Sequence, residues 1–361
     1  MALDHYVTLG RSGLRVSPLC LGTMTFGEDL GWGSSVEESQ QILDRYVAAG
    51  GNFIDTANFY TKSHSEKIIG DHVGRHPAKR DRLVIATKFS GNLFPGDPNG
   101  GGSSRKSIVA ACDESLRRLQ TDYIDLYWLH NWDVHTPIDE TMSALDDLVR
   151  AGKVRYIGVS DTPAWKVAEA NVLARFRGWS QFIGLQIEYS LLERTVEAEL
   201  VPMARELGLG ITPWSPLKSG VLSGKHTRAS AGTVKIDRSQ FMQAFLNETS
   251  YTLIDELERI AMAHDSTVAR AALAWVRMQP GVTSTIIGAR RIGQLDDNLK
   301  SLELTLAADE LARLAKLTEP AWGFPYRMQA FFPAIHNGGA WVNGTQMPPS
   351  DFVFLPGDTR Y

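Results

Sequence analysis

Cysteine is nearly absent: Cys20 and Cys112 are the only two in 361 residues. That excludes a disulfide framework and a cysteine-built zinc site. No apolar run approaches the roughly 18 residues of a membrane span, and the opening MALDHYVTLGRSG has no signal-peptide hydrophobic core. Neither charge dominates. Lys and Arg number 37 against 41 Asp and Glu, a formal net charge of −4, so no electrostatic footprint marks a nucleic-acid or anionic-membrane partner. No Gly-x-Gly-x-x-Gly follows a first strand, and a doubly wound dinucleotide-binding domain is not supported. Metal-ligand patterns are missing too. His72 and His76 stand four apart, but Gly74 intervenes, Pro77 follows and no glutamate succeeds His72; His130 and His135 straddle a strand end with no third ligand. From these absences the expected setting is reducing and cytoplasmic.

What is present is a recurring unit. Short β-rich apolar runs appear as SPLCLGT, NFIDT, LVIATK, YIDLYWLH, YIGVS, FIGLQIEY, LGITPWSP and TSTIIGA. Between them lie segments of helical period. SVEESQQILDRYVAAGG carries Ile42, Leu43, Tyr46 and Val47 at i, i+3/i+4 spacing and stops at Gly50-Gly51. SSRKSIVAACDESLRRL offers Ser104 as N-cap and Ile108, Cys112, Leu116 and Leu119 as an apolar stripe, and PIDETMSALDDLVRAGK has Pro137 early and Gly152 late. The longest gap, between LGITPWSP and TSTIIGA, has room for an inserted loop or extra helix.

Apolar runs alternating with helices predict parallel strands joined by right-handed crossovers. Eight such units, evenly spaced with no break in composition, predict an α/β fold: a (β/α)8 TIM barrel forming a single domain over residues 1–361. Residues 1–18 read as an N-terminal β-hairpin around Arg11-Ser12-Gly13 that caps one end. Residues 320–361 read as an extended, irregular C-terminal loop, rich in aromatics, Gly and Pro, that covers the barrel mouth, an outer helix or a subunit contact.

In such barrels the C-terminal strand ends converge on one mouth. Taken in order they are Asp55, Lys88, His130, Ser160, Gln186, Trp214 and Gly288, with Tyr60 just past the second strand. Singly, Asp55 reads as a helix cap and Tyr60 as packing. Lys88 is harder to dismiss, because a lysine ending an apolar strand needs a partner for its ammonium. An acid, a lysine, a histidine and a tyrosine on one rim read together as a site.

These stretches also carry a resemblance. FIDTANFY, VIATK, YIDLYWLH, IGVSDT, LQIEYSLLER and PWSPLKSGVLSGK, in that order, and the span from LGRSGLRVSPLCLGTMTFG to IIGARRIGQLDDNL resemble the aldo-keto reductase family, in a bacterial-type branch related to the potassium-channel β subunits. The resemblance implies that Asp55, Tyr60, Lys88 and His130 are the catalytic tetrad of an NAD(P)(H)-dependent carbonyl reductase. Its physical sense is that carbonyl reduction leaves charge on oxygen, which must take up a proton. A free phenol, pKa about 10, is a weak acid at neutral pH. A neighbouring ammonium lowers that pKa, Asp55 holds Lys88 by ion pairing, and His130 donates to the substrate oxygen.

The resemblance also implies a cofactor site at the mouth, with NADP(H) preferred and NAD(H) open. Gly22, Thr23, Met24 and Asp55 line it near the first strands. Ser160 and Gln186 contact the nicotinamide carboxamide, and Trp214 stacks on the ring. Ser215, Pro216, Leu217, Lys218, Gly220 and Lys225 form a pyrophosphate cradle. Gly288 lines the site at the last strand end, Gln294 and Asn298 lie near the adenosine end, and Arg290 is suited to a 2′-phosphate. One position departs from the family: Asp161 stands where many members have Asn. A carboxylate accepts from an amide NH2 but cannot donate to its carbonyl, so Asp161 either caps the helix starting at Pro163 or leaves the carboxamide with fewer donors. Substrate candidates are Phe26, Trp32, Phe89 and Trp132, and the expected partner is a small carbonyl or alcohol, with a homo-oligomer left open. Two rival readings stand: a cofactor-binding regulatory or scaffold protein of the same fold, and a Schiff-base aldolase using Lys88 as nucleophile.

Overall fold

The computed structural model of the chain describes residues 1–230, 244–329, 331–354 and 357–359. Eight parallel strands form its centre: β3 (Leu19–Gly22), β4 (Phe53–Asp55), β5 (Val84–Phe89), β6 (Ile124–Leu129), β7 (Val154–Ser160), β8 (Phe182–Glu188), β9 (Gly210–Trp214) and β10 (Thr285–Gly288). From β3 to β9 each pairs with the next in chain order, and β10 pairs with β3, with Gly288 opposite Gly22. The ring closes just ahead of β10, where Ile211 bridges Val282 in parallel and the Thr283 amide donates to the Ile211 carbonyl at 2.8 Å. This is the expected (β/α)8 barrel.

Alternation along the strands divides the molecule into two cores. Phe53, Val84, Ala86, Leu126, Trp128 and Ile286 fill the barrel, and the residues between them, such as Ile54, Ile85 and Tyr127, face the helical layer. Trp128 occupies the middle of the barrel. Gly158 and Gly184 make room for it: a Cβ built at either would lie 2.3 or 2.9 Å from its indole. A hairpin of β1 (Val7–Thr8) and β2 (Arg15–Val16) inserts Leu9 and Val16 into this inner core. The Arg11 amide donates to the Gly208 carbonyl at 2.7 Å. That contact lies beside the start of β9, so the hairpin caps the end opposite the site described below.

The helices follow the periodic segments. Val36–Ala48 starts at a Ser35–Glu38 capping box, and Arg105–Leu119 is capped by Ser104, whose side chain accepts from the Ser107 amide. Ile138–Arg150 begins after Pro137, and Gly152 follows in a left-handed conformation. Val47 is a correction: at the edge of its stripe it is 39% exposed, and Ser39 is buried on that helix instead. The long gap before β10 holds two helices, Glu248–Ala263 and Val268–Arg277.

Residues Met1–Thr318 form one compact unit and Glu319–Tyr361 a second. Within the second lie two short helices, Tyr326–Gln329 and Phe332–Asn337, and a two-stranded antiparallel ribbon of Trp341–Val342 with Thr345–Gln346. That stretch is therefore more ordered than an irregular loop. Among the described residues no helix is long and apolar enough to cross a membrane.

Candidate active site

The parity that puts Val84 and Ala86 inside the barrel puts Lys88 there too, at the C-terminal end of β5. Asp55 follows Phe53 inward on β4, and His130 stands just past the end of β6, continuing the series of Leu126 and Trp128. Lys88 is fully buried and Asp55 is 2% exposed. Every donor of the Lys88 ammonium has an acceptor: the Asp55 carboxylate, the Thr56 carbonyl at 2.9 Å and the Tyr60 hydroxyl at 3.0 Å. Burial alone would push the ammonium's pKa down, but Asp55 and Tyr60 reverse the sign and hold it above the usual lysine value. Such a lysine stays protonated, which removes the Schiff-base nucleophile reading.

Tyr60 is presented by an irregular turn. Thr61, Lys62 and Ser63 follow it with φ of 45°, 55° and 74°, left-handed values that cost non-glycine residues of order 1–3 kcal/mol each. The turn is pinned by Thr61 Oγ1 donating to the Phe26 carbonyl at 2.7 Å and Ser63 Oγ donating to the Asn58 carbonyl at 2.7 Å. One expectation is corrected here. The phenol's pKa is raised, because burial outweighs the pull of the Lys88 ammonium and the Asp55 carboxylate adds to the rise. Tyr60 is therefore a protonated acid at neutral pH. Lys88 donates to its oxygen, so the phenolic hydrogen is free to point elsewhere.

His130 packs against both neighbours of this turn. Its ring stacks on Phe59 at 4.9 Å and 16°, and meets Tyr60 edge-on at 5.9 Å. Its Nδ1 is buried without a hydrogen-bond partner among the described residues. Burial, with the Lys88 cation adding to it, pushes the imidazole down to about 2, so the ring is neutral. No sequence motif points to Phe59; its only signal there is its place between Asn58 and Tyr60.

The remaining inward strand ends surround this group. Ser160 and Gln186 are buried, and the Gln186 amide donates to Asp55 Oδ1 at 3.0 Å, so one of its donors serves the carboxylate. Thr23 Oγ1 donates to the Asp55 carbonyl at 3.0 Å. Met24 is 44% exposed. Asp161, in a left-handed conformation with φ 42°, accepts from the Trp214 indole N–H at 3.0 Å. It caps no helix; Ala164–Arg177 begins behind Pro163 without a side-chain cap. The outer edge of Asp161 meets solvent, yet partial desolvation at the mouth holds its carboxyl up to about 6, against the pull of the Trp214 hydrogen bond and the Lys88 charge.

Two expected substrate contacts lie away from the mouth. Phe26 and Phe89 are fully buried in the layer between barrel and helices, Phe89 against Tyr127 at 4.9 Å, and do not line the mouth. Trp132 is half-buried and meets Trp165 edge-on at 5.5 Å, with the Lys166 ammonium 4.4 Å from the Trp165 ring centre. Trp32 is half-buried. Lys218 is 3% exposed and spoken for: it pairs with Glu188 at 2.8 Å and lies 4.4 Å from the centre of the Phe245 ring. Its loop also satisfies much of its own backbone, with Lys218 N–H on the Ser215 carbonyl, Ser219 N–H on Ser215 Oγ and Gly220 N–H on the Leu217 carbonyl. Pro216 is buried and Lys225 exposed. Past β10, the Gln294 side chain accepts from the Arg290 amide at 2.9 Å, and Asn298 donates to the Gly288 carbonyl at 3.2 Å. Both therefore secure the turn into helix Ile292–Leu299. His72 pairs with Asp44 at 2.8 Å, and no cluster of three or more His, Cys, Asp or Glu among the described residues is arranged to hold a metal.

A planar cofactor ring fits this mouth. Gly22 and Gly288 pair across β3 and β10, so two adjacent strand ends carry no side chain, and a Cβ on Gly288 would enter open space. Trp214 stands at the end of β9, the neighbour of β10 around the barrel, and Ser160 and Gln186 bring hydroxyl and amide groups from β7 and β8.

A parallel eight-stranded barrel that brings Asp, Lys, Tyr and His together at its C-terminal mouth is the framework of a barrel oxidoreductase acting on carbonyl and alcohol groups. The chain belongs to the aldo/keto reductase family, whose model matches residues 18–319. It is 39% identical over 319 residues to the "Uncharacterized oxidoreductase YrpG" of Bacillus subtilis, covering 86% of this chain and 94% of that one. It is 37% identical to norsolorinic acid reductase stcV of Emericella nidulans, covering 89% and 83%. It is 35% identical to aldo-keto reductase ausK of Aspergillus calidoustus, covering 95% and 88%. The protein is an NAD(P)-dependent oxidoreductase.

Proposed function

We propose that the chain reduces an aldehyde or ketone to an alcohol with NADPH, Tyr60 supplying the proton. The observation that carries this reading is the Tyr60 hydroxyl 3.0 Å from a Lys88 ammonium whose other donors are taken by Asp55 and the Thr56 carbonyl. When bound, the cofactor supplies a hydride to the carbonyl carbon. As negative charge grows on the substrate oxygen, Tyr60 donates its proton and Lys88, held charged by Asp55, stabilises the phenolate left behind. His130 is neutral and its Nδ1 is enclosed, so its Nε2–H is the group to orient the carbonyl oxygen. Gln186, by donating to Asp55, fixes the carboxylate that fixes the lysine.

Ser160 and the free Gln186 groups would hold the carboxamide, Asp161 would accept from its NH2, and Trp214 would face the ring. Arg290 and Arg291, before helix Ile292–Leu299, favour a cofactor with a 2′-phosphate. Phe59, Trp132 and Trp165 give the mouth aromatic walls, which supports flat aryl carbonyls as substrates; one relative is named for reducing norsolorinic acid. The test is a titration of tryptophan fluorescence with NADPH and with NADH, followed by turnover on a panel of aryl and alkyl aldehydes. Stronger quenching by NADPH together with reduction of aryl carbonyls is the expected result. Quenching without turnover on any carbonyl would favour the scaffold reading.

A further inference from the structure

A histidine that must aim one nitrogen is ordinarily oriented by a hydrogen bond on the other. His130 has no such bond among the described residues: its Nδ1 is buried and unpartnered. Yet the ring is held. One face lies against Phe59, nearly parallel at 4.9 Å and 16°, and the Tyr60 ring meets it edge-on at 5.9 Å. Phe59 is itself confined. It meets the Tyr60 ring edge-on at 5.5 Å, and a Cβ built on Gly91 would stand 2.2 Å from its Cδ1. Gly91 has no left-handed φ that demands glycine, and its carbonyl accepts from the Asn58 side chain at 3.0 Å. The glycine is there for the phenyl ring.

We propose that Phe59 is the positioning residue for His130: clamped between the Gly91 backbone and the imidazole face, it does by stacking what a hydrogen bond on Nδ1 would otherwise do. The inference rests on the reading above, in which His130 orients the substrate oxygen. Stacking suits the task because the ring must be both aimed and kept neutral. An aromatic face shields one side of the imidazole from water and offers no charge or acceptor that would favour the imidazolium. The titratable groups facing the ring are Lys88 from β5 and Tyr60 from the turn after β4, and the lysine's charge works in the same direction. Phe59 is 39% exposed, so truncating it removes little from the core.

The test uses Phe59→Ala, Phe59→Tyr and Gly91→Ala in the full chain, alone and combined with His130→Gln. Phe59→Ala is expected to lower kcat at least about tenfold while the NADPH dissociation constant holds. It is also expected to add an acidic limb to the pH–rate profile as the newly hydrated imidazole becomes protonatable nearer its ordinary range. Phe59→Tyr, which keeps the flat face, should restore both. Gly91→Ala should mimic Phe59→Ala by displacing the ring, and should cost nothing further once Phe59 is alanine. In the His130→Gln background Phe59→Ala should have no additional effect. If His130→Gln lowers kcat but Phe59→Ala leaves rate and pH profile unchanged, the inference is wrong and the reading of the site survives. An unchanged kcat in His130→Gln would remove the reading itself.

Discussion

The Lys88 ammonium sits 3.0 Å from the Tyr60 hydroxyl, with the Asp55 carboxylate and the Thr56 carbonyl taking its other two donors. The geometry makes the lysine a fixed charge rather than a nucleophile. Asp55 holds that charge in place.

Removing either partner should therefore cost chemistry more than cofactor binding. Lys88→Met and Asp55→Asn are each expected to lower kcat by about 100-fold or more, the scale of a lost acid–base contribution. Fluorescence titration with NADPH should remain close to wild type. Lys88→Met also relieves Asp55 of its cation and buries a lone carboxylate, so it should be the less stable of the two in urea melts.

His130 predicts a pH signature of stability. Its folded pKa is pushed down to about 2, while the unfolded ring titrates near 6.5. Above pH 6.5 both states are neutral and the stability is fully present; below it the unfolded chain takes up a proton that the folded protein refuses, and stability falls toward pH 2. At pH 5 this amounts to about 2 kcal/mol. Urea melts at pH 7 and pH 5 should show His130→Gln losing less stability on acidification than wild type, by about that amount.

Asp161 titrates nearer neutrality, its carboxyl held up to about 6. As pH falls through that value the group gains a proton and, with it, a donor for a carboxamide carbonyl. NADH binding, which involves no 2′-phosphate to titrate, should tighten several-fold, up to about tenfold, between pH 7 and pH 5. Asp161→Asn keeps an acceptor for the Trp214 indole and should bind tightly at both values. A wild-type constant with no pH dependence would show that Asp161 acts on Trp214 alone.

The barrel interior makes a prediction independent of chemistry. Gly158→Ala would drive a methyl to within 2.3 Å of the Trp128 indole, and the ring is enclosed on all sides. Overpacking of this type costs about 1–3 kcal/mol, to be read as a lowered urea midpoint. Gly288→Ala, whose methyl meets nothing within 4 Å, should leave stability unchanged.

The barrel was legible because buried parallel strands write themselves as short apolar runs and their helices as 3.6-residue stripes. The tetrad was legible because polar residues at the ends of such runs have few structural uses. What alternation settles, the strand ends alone did not: Phe89 reads as a mouth residue by position, but it follows Lys88, and consecutive residues of a strand face opposite sides. Phe26 failed similarly, on a loop whose route past His64–Ile69 no local pattern shows. Lys218 resembled a phosphate ligand until Glu188, thirty residues earlier, proved to hold it. Gln186 was read for what it could bind, and its bond to Asp55 spans 131 residues. For Lys218 and Gln186 the deciding partner is long-range and invisible to spacing.

Tyr60→Phe carries the central claim most directly. In a single-turnover experiment with bound NADPH and an aryl aldehyde, the variant should oxidise the cofactor at least about 100-fold more slowly than wild type. It should still quench tryptophan fluorescence at wild-type NADPH concentrations. Wild-type rates in Tyr60→Phe would contradict the account, because the proton would then come from a group other than the one Lys88 holds.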